Sequence, residues 1–367
     1  MRPIWWLVPI VLVSGGILAW NAVDSGPALA IDEDLAQQAA LDGSGASEIR
    51  LAGEVDWQPR TLTAARALLG ESEIRSAARR LNGYLAQHPE DGAAHVLLAE
   101  CLRRQGDLDQ AEIHATKGVE LLPTMGRAHW VRSMVLRGRL ASVAAQGGMA
   151  VMGAMGTIGP YRDALHTAIA LDPENLEARK EEVLFYLVTP MIGDPAKGLE
   201  LARAMEELHP VEGPLTVARA LYFNGEKEAG VQKARELCGT FPDDPLPKWV
   251  LASLEYDAKR YDDADALLAE VLAMGLKDET YYQALYQRMR LRTERDLEPQ
   301  QVLDFCAEYE TADPKFEWAP PMYQVLCERG CALQDLGRFE EARAALEACL
   351  AAEPAFKRAK LTLAGLE

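Results

Sequence analysis

From Thr61 onward, apolar positions recur at helical spacing, without the strict alternation of a half-buried strand. In "HVLLAECLRRQGDLDQAEIHATKGVELLP", His95 to Pro123, Leu98, Ala99 and Leu102 mark one helix face. Gly106 breaks the run, Ala111, Ala115 and Gly118 mark the close face of a second helix, and Pro123 ends it. "LCERGCALQDLGRFEEARAALEACLAAEP", Leu326 to Pro354, repeats the plan, with Gly330, Leu333, Gly337, Ala342, Leu346, Cys349 and Pro354 at matching offsets. Prolines recur at Pro89, Pro123, Pro173, Pro210, Pro242, Pro314 and Pro354, and the interval from Pro242 to Pro314 has room for two units. Small residues let two helices approach, large ones fill the gaps, and proline stops the second helix. The pattern predicts an all-α, right-handed solenoid of about seven antiparallel helix pairs over residues 59–367.

This plan resembles the tetratricopeptide repeat, whose signature combines W-x2-L-G-x2-Y, A-x3-F and a terminal Pro at a period of about 34. His95 and His129 stand where the signature has Trp, and Arg329 stands where it has Leu. A narrower resemblance, to exported bacterial repeat proteins without a settled activity, rests on several segments. They are "LDPEN" at Leu171–Asn175, Phe185-Tyr186 with the following Pro-x-x-Gly loop, "ALYQRMRL" and "FKRAKLTLAGL". It implies architecture and export only. The family resemblance implies ligand binding along a concave face lined by each first helix.

The N-terminus has a different character. Ile4 to Trp20 is uncharged and apolar, about the minimum for a bilayer span, with Trp5, Trp6 and Trp20 near its ends. Residues 1–24 are therefore expected to form a single apolar helix that anchors the chain, and residues 25–58, rich in Gly, Ala, Ser and acid, to form a linker. Arg2 on one side and Asp24, Asp32, Glu33 and Asp34 on the other predict a single-pass inner-membrane protein with its repeats in the periplasm. The alternative is a secreted or periplasmic protein after signal cleavage near Ala30. With 38 basic and 56 acidic residues, the net charge of −18 opposes a phosphate backbone, so no nucleic-acid partner is expected.

"AAQGGMAVMGAMGTIGPYRD", Ala144 to Asp163, lies where one unit is longer than its neighbours. It has neither the lysine of a phosphate loop nor a preceding strand for a dinucleotide loop. The expectation is a pair of lengthened helices. Gly147, Gly148, Gly153 and Gly156 would permit close approach or a mobile turn, the methionines would give an adaptable apolar surface, and Pro160 would start the following helix.

Repeat spacing nominates Val96, Glu100, Arg103, Trp130, Met134, Arg137, Leu215, Arg219, Tyr222, Trp249, Ser253 and Tyr256 for the groove. Of these, Trp130, Arg219, Tyr222, Trp249 and Tyr256 have the aromatic and arginine character of protein-binding hot spots. Packing between repeats is the competing role for Trp130, Trp249 and Tyr256. Cys327 and Cys331, one turn apart, form a thiol pair able to hold metal or cross-link a partner, or are small packing residues. His95 and His129 occupy equivalent positions in successive units and either stack or pack. No catalytic residue, metal or cofactor is expected. The functional expectation is a non-enzymatic, membrane-tethered scaffold for protein or peptide partners. The alternative is a repeat subunit of a thiol- or haem-handling assembly system.

Overall fold

The computed structural model describes residues 60–70, 73–146, 150–188, 193–314, 316, 319–354 and 356–366. These residues are helical, with no strand among them. They form two compact units, divided between Glu182 and Val183.

The first unit holds α1 (Arg60–Gly70), α2 (Ile74–Leu85), α3 (Gly92–Gln105), α4 (Leu108–Leu121), α5 (Gly126–Gln146), α6 (Ala150–Leu171) and the start of α7 (Leu176–Val188). The second holds the end of α7, then α8 (Pro195–Ala204), α9 (Glu212–Phe223), α10 (Lys227–Thr240), α11 (Pro245–Asp257) and α12 (Tyr261–Met274). It continues with α13 (Glu279–Thr293), α14 (Pro299–Ala312), α15 (Met322–Asp335), α16 (Phe339–Ala352) and α17 (Lys357–Ala364). Among the described residues the seventeen helices make eight pairs and one unpaired last helix, where the proline spacing predicts about seven pairs.

Local chemistry sets the helix starts. The side chains of Asp91, Asp107, Asn175, Asp194, Asp244 and Asp278 each accept a backbone N–H from the first turn that follows. The recurrent prolines follow the second helices, as expected, except that α12 ends on Gly275 in the left-handed region. Paired helices meet at small residues. A Cβ placed on Gly330 of α15 would stand 2.6 Å from Leu346 Cγ on α16, and one on Gly118 of α4 would stand 2.7 Å from Val96 on α3. Leu62, Leu81, Leu97, Leu98 and Val135 belong to the core of the first unit. Trp249, Leu251 and Leu268 form part of one core of the second unit, and Tyr282, Met289, Cys306 and Tyr309 part of another.

Within several pairs the turn between helices uses a left-handed residue: Gly106, Gly225, Lys259 and Gly337 in one turn each, and both Asp296 and Glu298 between α13 and α14. Lys259, with φ 62°, carries a Cβ where three of its counterparts carry none. Lys259→Gly is expected to stabilise the chain by about 0.5–1 kcal/mol despite the greater freedom of glycine in the unfolded chain. A lower urea midpoint for the variant would show that the Lys259 side chain contributes more than its backbone costs.

The unit holding Ala144 to Asp163 has the expected long helices, 21 residues in α5 and 22 in α6. Two expectations there are corrected. Pro160 lies inside α6 rather than at its start. Gly156 has open space around its Cβ direction, so it does not serve close helix approach. Residues 147–149 lie outside the described residues.

The membrane expectation is also corrected. Among the described residues no helix is long and apolar enough to cross a membrane, which conflicts with a single-pass inner-membrane protein. The two longest helices show why. Arg127, Arg132, Arg137 and Arg139 interrupt α5, and Arg162 and Asp163 interrupt α6. The segment Ile4–Trp20, the linker and the cleavage alternative near Ala30 lie outside the described residues.

Candidate functional site

The turn after each first helix supplies its own ruler. The backbone N–H of Glu226, Arg260, Leu297 and Arg338 donates to the carbonyl of Leu221, Glu255, Arg292 and Leu333, respectively. Aligned on these bonds, Arg219, Ser253, Arg290 and Cys331 occupy one equivalent position on α9, α11, α13 and α15. Tyr222, Tyr256 and Thr293 occupy the position three residues further on, on the same helix face.

Side chains from these helices join in a chain of polar contacts. Tyr256 of α11 donates its hydroxyl to Glu294 after α13, and the Arg290 guanidinium lies 5.9 Å from the Tyr256 ring centre. Arg290 also donates to Glu294 at 2.9 Å. Arg358 of α17 lies 3.9 Å from Glu294, donates to Glu328 of α15 at 2.6 Å, and donates to Thr293 of α13 at 2.9 Å. Thr293 in turn donates its hydroxyl to Glu328. Glu328 is fully buried, and burial pushes its carboxyl above the ordinary value despite the attraction of Arg358. Tyr256, Arg290 and Arg358 are half-buried.

Further along this unit, the guanidinium of Arg219 lies 5.3 Å from the ring centre of Trp249. Arg219 is 7% exposed, and burial lowers its pKa to about 9 against the pull of Glu212 and Asp257. Asp257 closes α11. Burial pushes its carboxyl up to about 6, against Arg290, Lys227 and Arg219, which favour the charged form. A folded pKa above the unfolded value means that stability falls as pH rises from about 4 to about 6, and that the cost stays in force above that range. Asp257→Asn is expected to raise stability at pH 7 by up to about 3 kcal/mol, and by much less at pH 4. Urea titrations at both pH values check this; an equal gain at the two would assign the effect to something other than charge.

The nominated residues divide by burial. Trp249 is 1% exposed and Tyr222 is 3% exposed, and both belong to the core of the second unit. Their rings fill space between helices, which is the competing packing role for Trp249 and was not foreseen for Tyr222. Tyr256 is half-buried and carries the polar contacts described above. Trp130, in the first unit, is half-buried, and its carbonyl accepts from Ser133 at 2.7 Å. Cys327 is fully buried beside Leu346 and Cys349, and Cys331 is half-buried against α17. Among the described residues no group of three His, Cys, Asp or Glu side chains is placed to hold a metal ion.

The two histidines share a role without stacking on each other. His95 Nε2 lies 2.9 Å from the carbonyl oxygen of Pro89, and His129 Nε2 lies 2.9 Å from that of Pro123. Arg179 Nε reaches Pro173 in the same way, at 2.5 Å. In these three units the side chain at the signature Trp position thus ties the first helix to the proline that precedes it. His95 stacks instead on His114, with ring centres 5.0 Å apart.

Spacing did not nominate Asp257, Arg290, Glu294, Glu328 or Arg358. The usual step between equivalent residues is 34, as from Leu221 to Glu255, but it is 37 from Glu255 to Arg292. The longer α13 carried its face out of the register that a fixed period assumes.

Comparison with known proteins agrees with this architecture. Residues 62–125 and 323–356 match the tetratricopeptide repeat family. The structure is similar to the crystal structure of yeast Tom70, with a TM-score of 0.62 at 15% identity, covering 92% of this chain and 71% of that one. A tetratricopeptide repeat protein from Parabacteroides merdae is similar at a TM-score of 0.44 and 13% identity, covering 83% and 97% of the two chains. No curated protein matches this sequence. The chain thus carries tetratricopeptide repeats in these two segments, and its fold is similar to that of tetratricopeptide repeat proteins.

Proposed function

We propose that the chain is a non-enzymatic scaffold that holds protein or peptide partners, and that its principal contact face is the row of first helices in the second unit. The observation that supports this reading is the half-buried chain Tyr256–Arg290–Glu294–Arg358, which crosses from α11 through α13 to α17. Tyrosine and arginine are among the side chains that most often dominate protein interfaces. Trp130, in the first unit, is a further contact in this proposal, whereas Arg219, Trp249 and Tyr222 are buried and support the face from beneath.

The test is cross-linking in cells, followed by titration of the identified partner against purified full-length chain. Tyr256→Ala and Arg290→Ala are each expected to weaken binding about 10-fold or more while leaving the circular dichroism spectrum intact, a loss of about 1.4 kcal/mol. Cross-links confined to the second helices α10, α12, α14 and α16, with unchanged affinity in both variants, would move the contact face elsewhere.

A further inference from the structure

The last helix pair holds three thiols, and its register decides which two can meet. Gly330 of α15 faces Leu346 of α16 at the closest approach of the pair. Because the two helices run antiparallel, one turn back along α15 meets one turn on along α16, which brings Cys327 opposite Cys349. Both are 0% exposed and share one core cluster with Leu346 and Ala359. The Cys327 thiol is hydrogen-bonded to both neighbours, Cys331 one turn on along α15 and Cys349 across the pair. Cys331 also has partners on α17: its Sγ lies 3.8 Å from Thr362 Oγ1 and 3.9 Å from a guanidinium nitrogen of Arg358.

Helix geometry sets the competing pair at a disadvantage. Residues four apart on one helix hold their Cβ atoms about 5–6 Å apart. A disulfide needs roughly 3.5–4.5 Å. Joining Cys327 to Cys331 therefore requires α15 to distort, whereas Cys327 and Cys349 meet across a contact that Gly330 already draws tight.

We propose that Cys327 and Cys349 form a dithiol modification site that a peroxide converts to a disulfide bridging α15 and α16. The hydrogen bond with Cys327 draws the Cys349 thiol below its ordinary value, which favours Cys349 as the attacking sulfur. Its thiolate attacks one peroxide oxygen. The O–O bond breaks, and the departing hydroxide takes a proton to leave as water, with Cys349 as the sulfenic acid. The Cys327 sulfur then attacks the Cys349 sulfur. The S–S bond forms, the S–O bond breaks, and hydroxide leaves with the Cys327 proton as a second water. Two thiols and one peroxide thus give one disulfide and two waters. The bridge ties together the two helices on which α17 packs, so oxidation stiffens the end of the second unit independently of any partner.

The experiment uses the reduced full-length chain in native buffer, treated with hydrogen peroxide, quenched by alkylation and digested with trypsin without reduction. Arg329, Arg338 and Arg343 separate the three cysteines into different tryptic peptides, so each pairing has its own mass. The expected product joins the peptides of Cys327 and Cys349. The intact chain should lose about 2 Da, and its melting temperature should rise and return on reduction. Cys331→Ala should keep both the link and the rise, and Cys349→Ala should lose both. A Cys327–Cys331 product, or oxidation that leaves Cys327 and Cys349 as free thiols while other cysteines react, would overturn the assignment.

Discussion

Trp249→Ala is expected to cost about 3–5 kcal/mol of stability, read as a lower urea midpoint with an unchanged slope. The side chain is 1% exposed and packs within the core that also holds Leu215, Tyr222, Val250, Leu254 and Leu268. Removing it leaves a cavity in a contact surface shared by several helices, and helices fixed by their caps and turns cannot fully close on it. The loss includes the support for Arg219, whose guanidinium rests against the indole. A partner assay on the fraction that remains folded separates packing from contact. Under the packing role the affinity of that fraction is retained, while Tyr256→Ala shows the opposite profile, with a small change in midpoint and a large loss of binding. A Trp249→Ala chain with a wild-type midpoint and lost binding would return the indole to the contact face.

What could be read from the sequence was the periodic part. Helix existence, the small residues at Gly118 and Gly330, and the proline stops follow from local rules that recur from unit to unit, with the α12 stop at Gly275 as the exception. Burial was not legible by the same means. A fixed offset put Trp249 and Tyr256 on one face, yet one residue is core and the other half-buried. The offset says which way a side chain leaves its helix. It does not say how far the neighbouring helix covers it. The ladder through Arg290, Glu294 and Arg358 was hidden for a related reason. It joins residues from units of unequal length, and Arg358 lies on a helix without a second helix among the described residues. A signal was present in the charge at Glu328, midway along α15, where Val325 and Ala332 share its face. A carboxylate there demands a cation, and the last helix, α17, begins with Lys357-Arg358.

Arg358→Ala is expected to cost about 3–5 kcal/mol at neutral pH, because it strands Glu328 as a buried charge without its guanidinium. Glu328 is 0% exposed and has Arg358 and Thr293 as its hydrogen-bonding partners. Burial already holds its carboxyl above the ordinary value with Arg358 present. Without that cation the carboxyl rises further, so the folded variant takes up a proton at a pH where the unfolded chain remains charged. The penalty is therefore greatest above the folded value and shrinks as pH falls through it. Glu328→Gln in the Arg358→Ala background should recover much of the loss at pH 7, since a neutral amide keeps the contact with Thr293 without an unpaired charge. Glu328→Leu with Arg358→Met should come close to wild-type stability, as replacement of a buried ion pair by apolar side chains often does. The comparison also isolates the role of α17, whose polar ties to α13 and α15 run through Arg358 and Thr362. Urea titrations of the three variants at pH 5 and pH 8 provide the measurement. An Arg358→Ala penalty that is the same at both pH values, and unrelieved by Glu328→Gln, would show that Arg358 acts through the packing of its stem and not through the buried carboxylate.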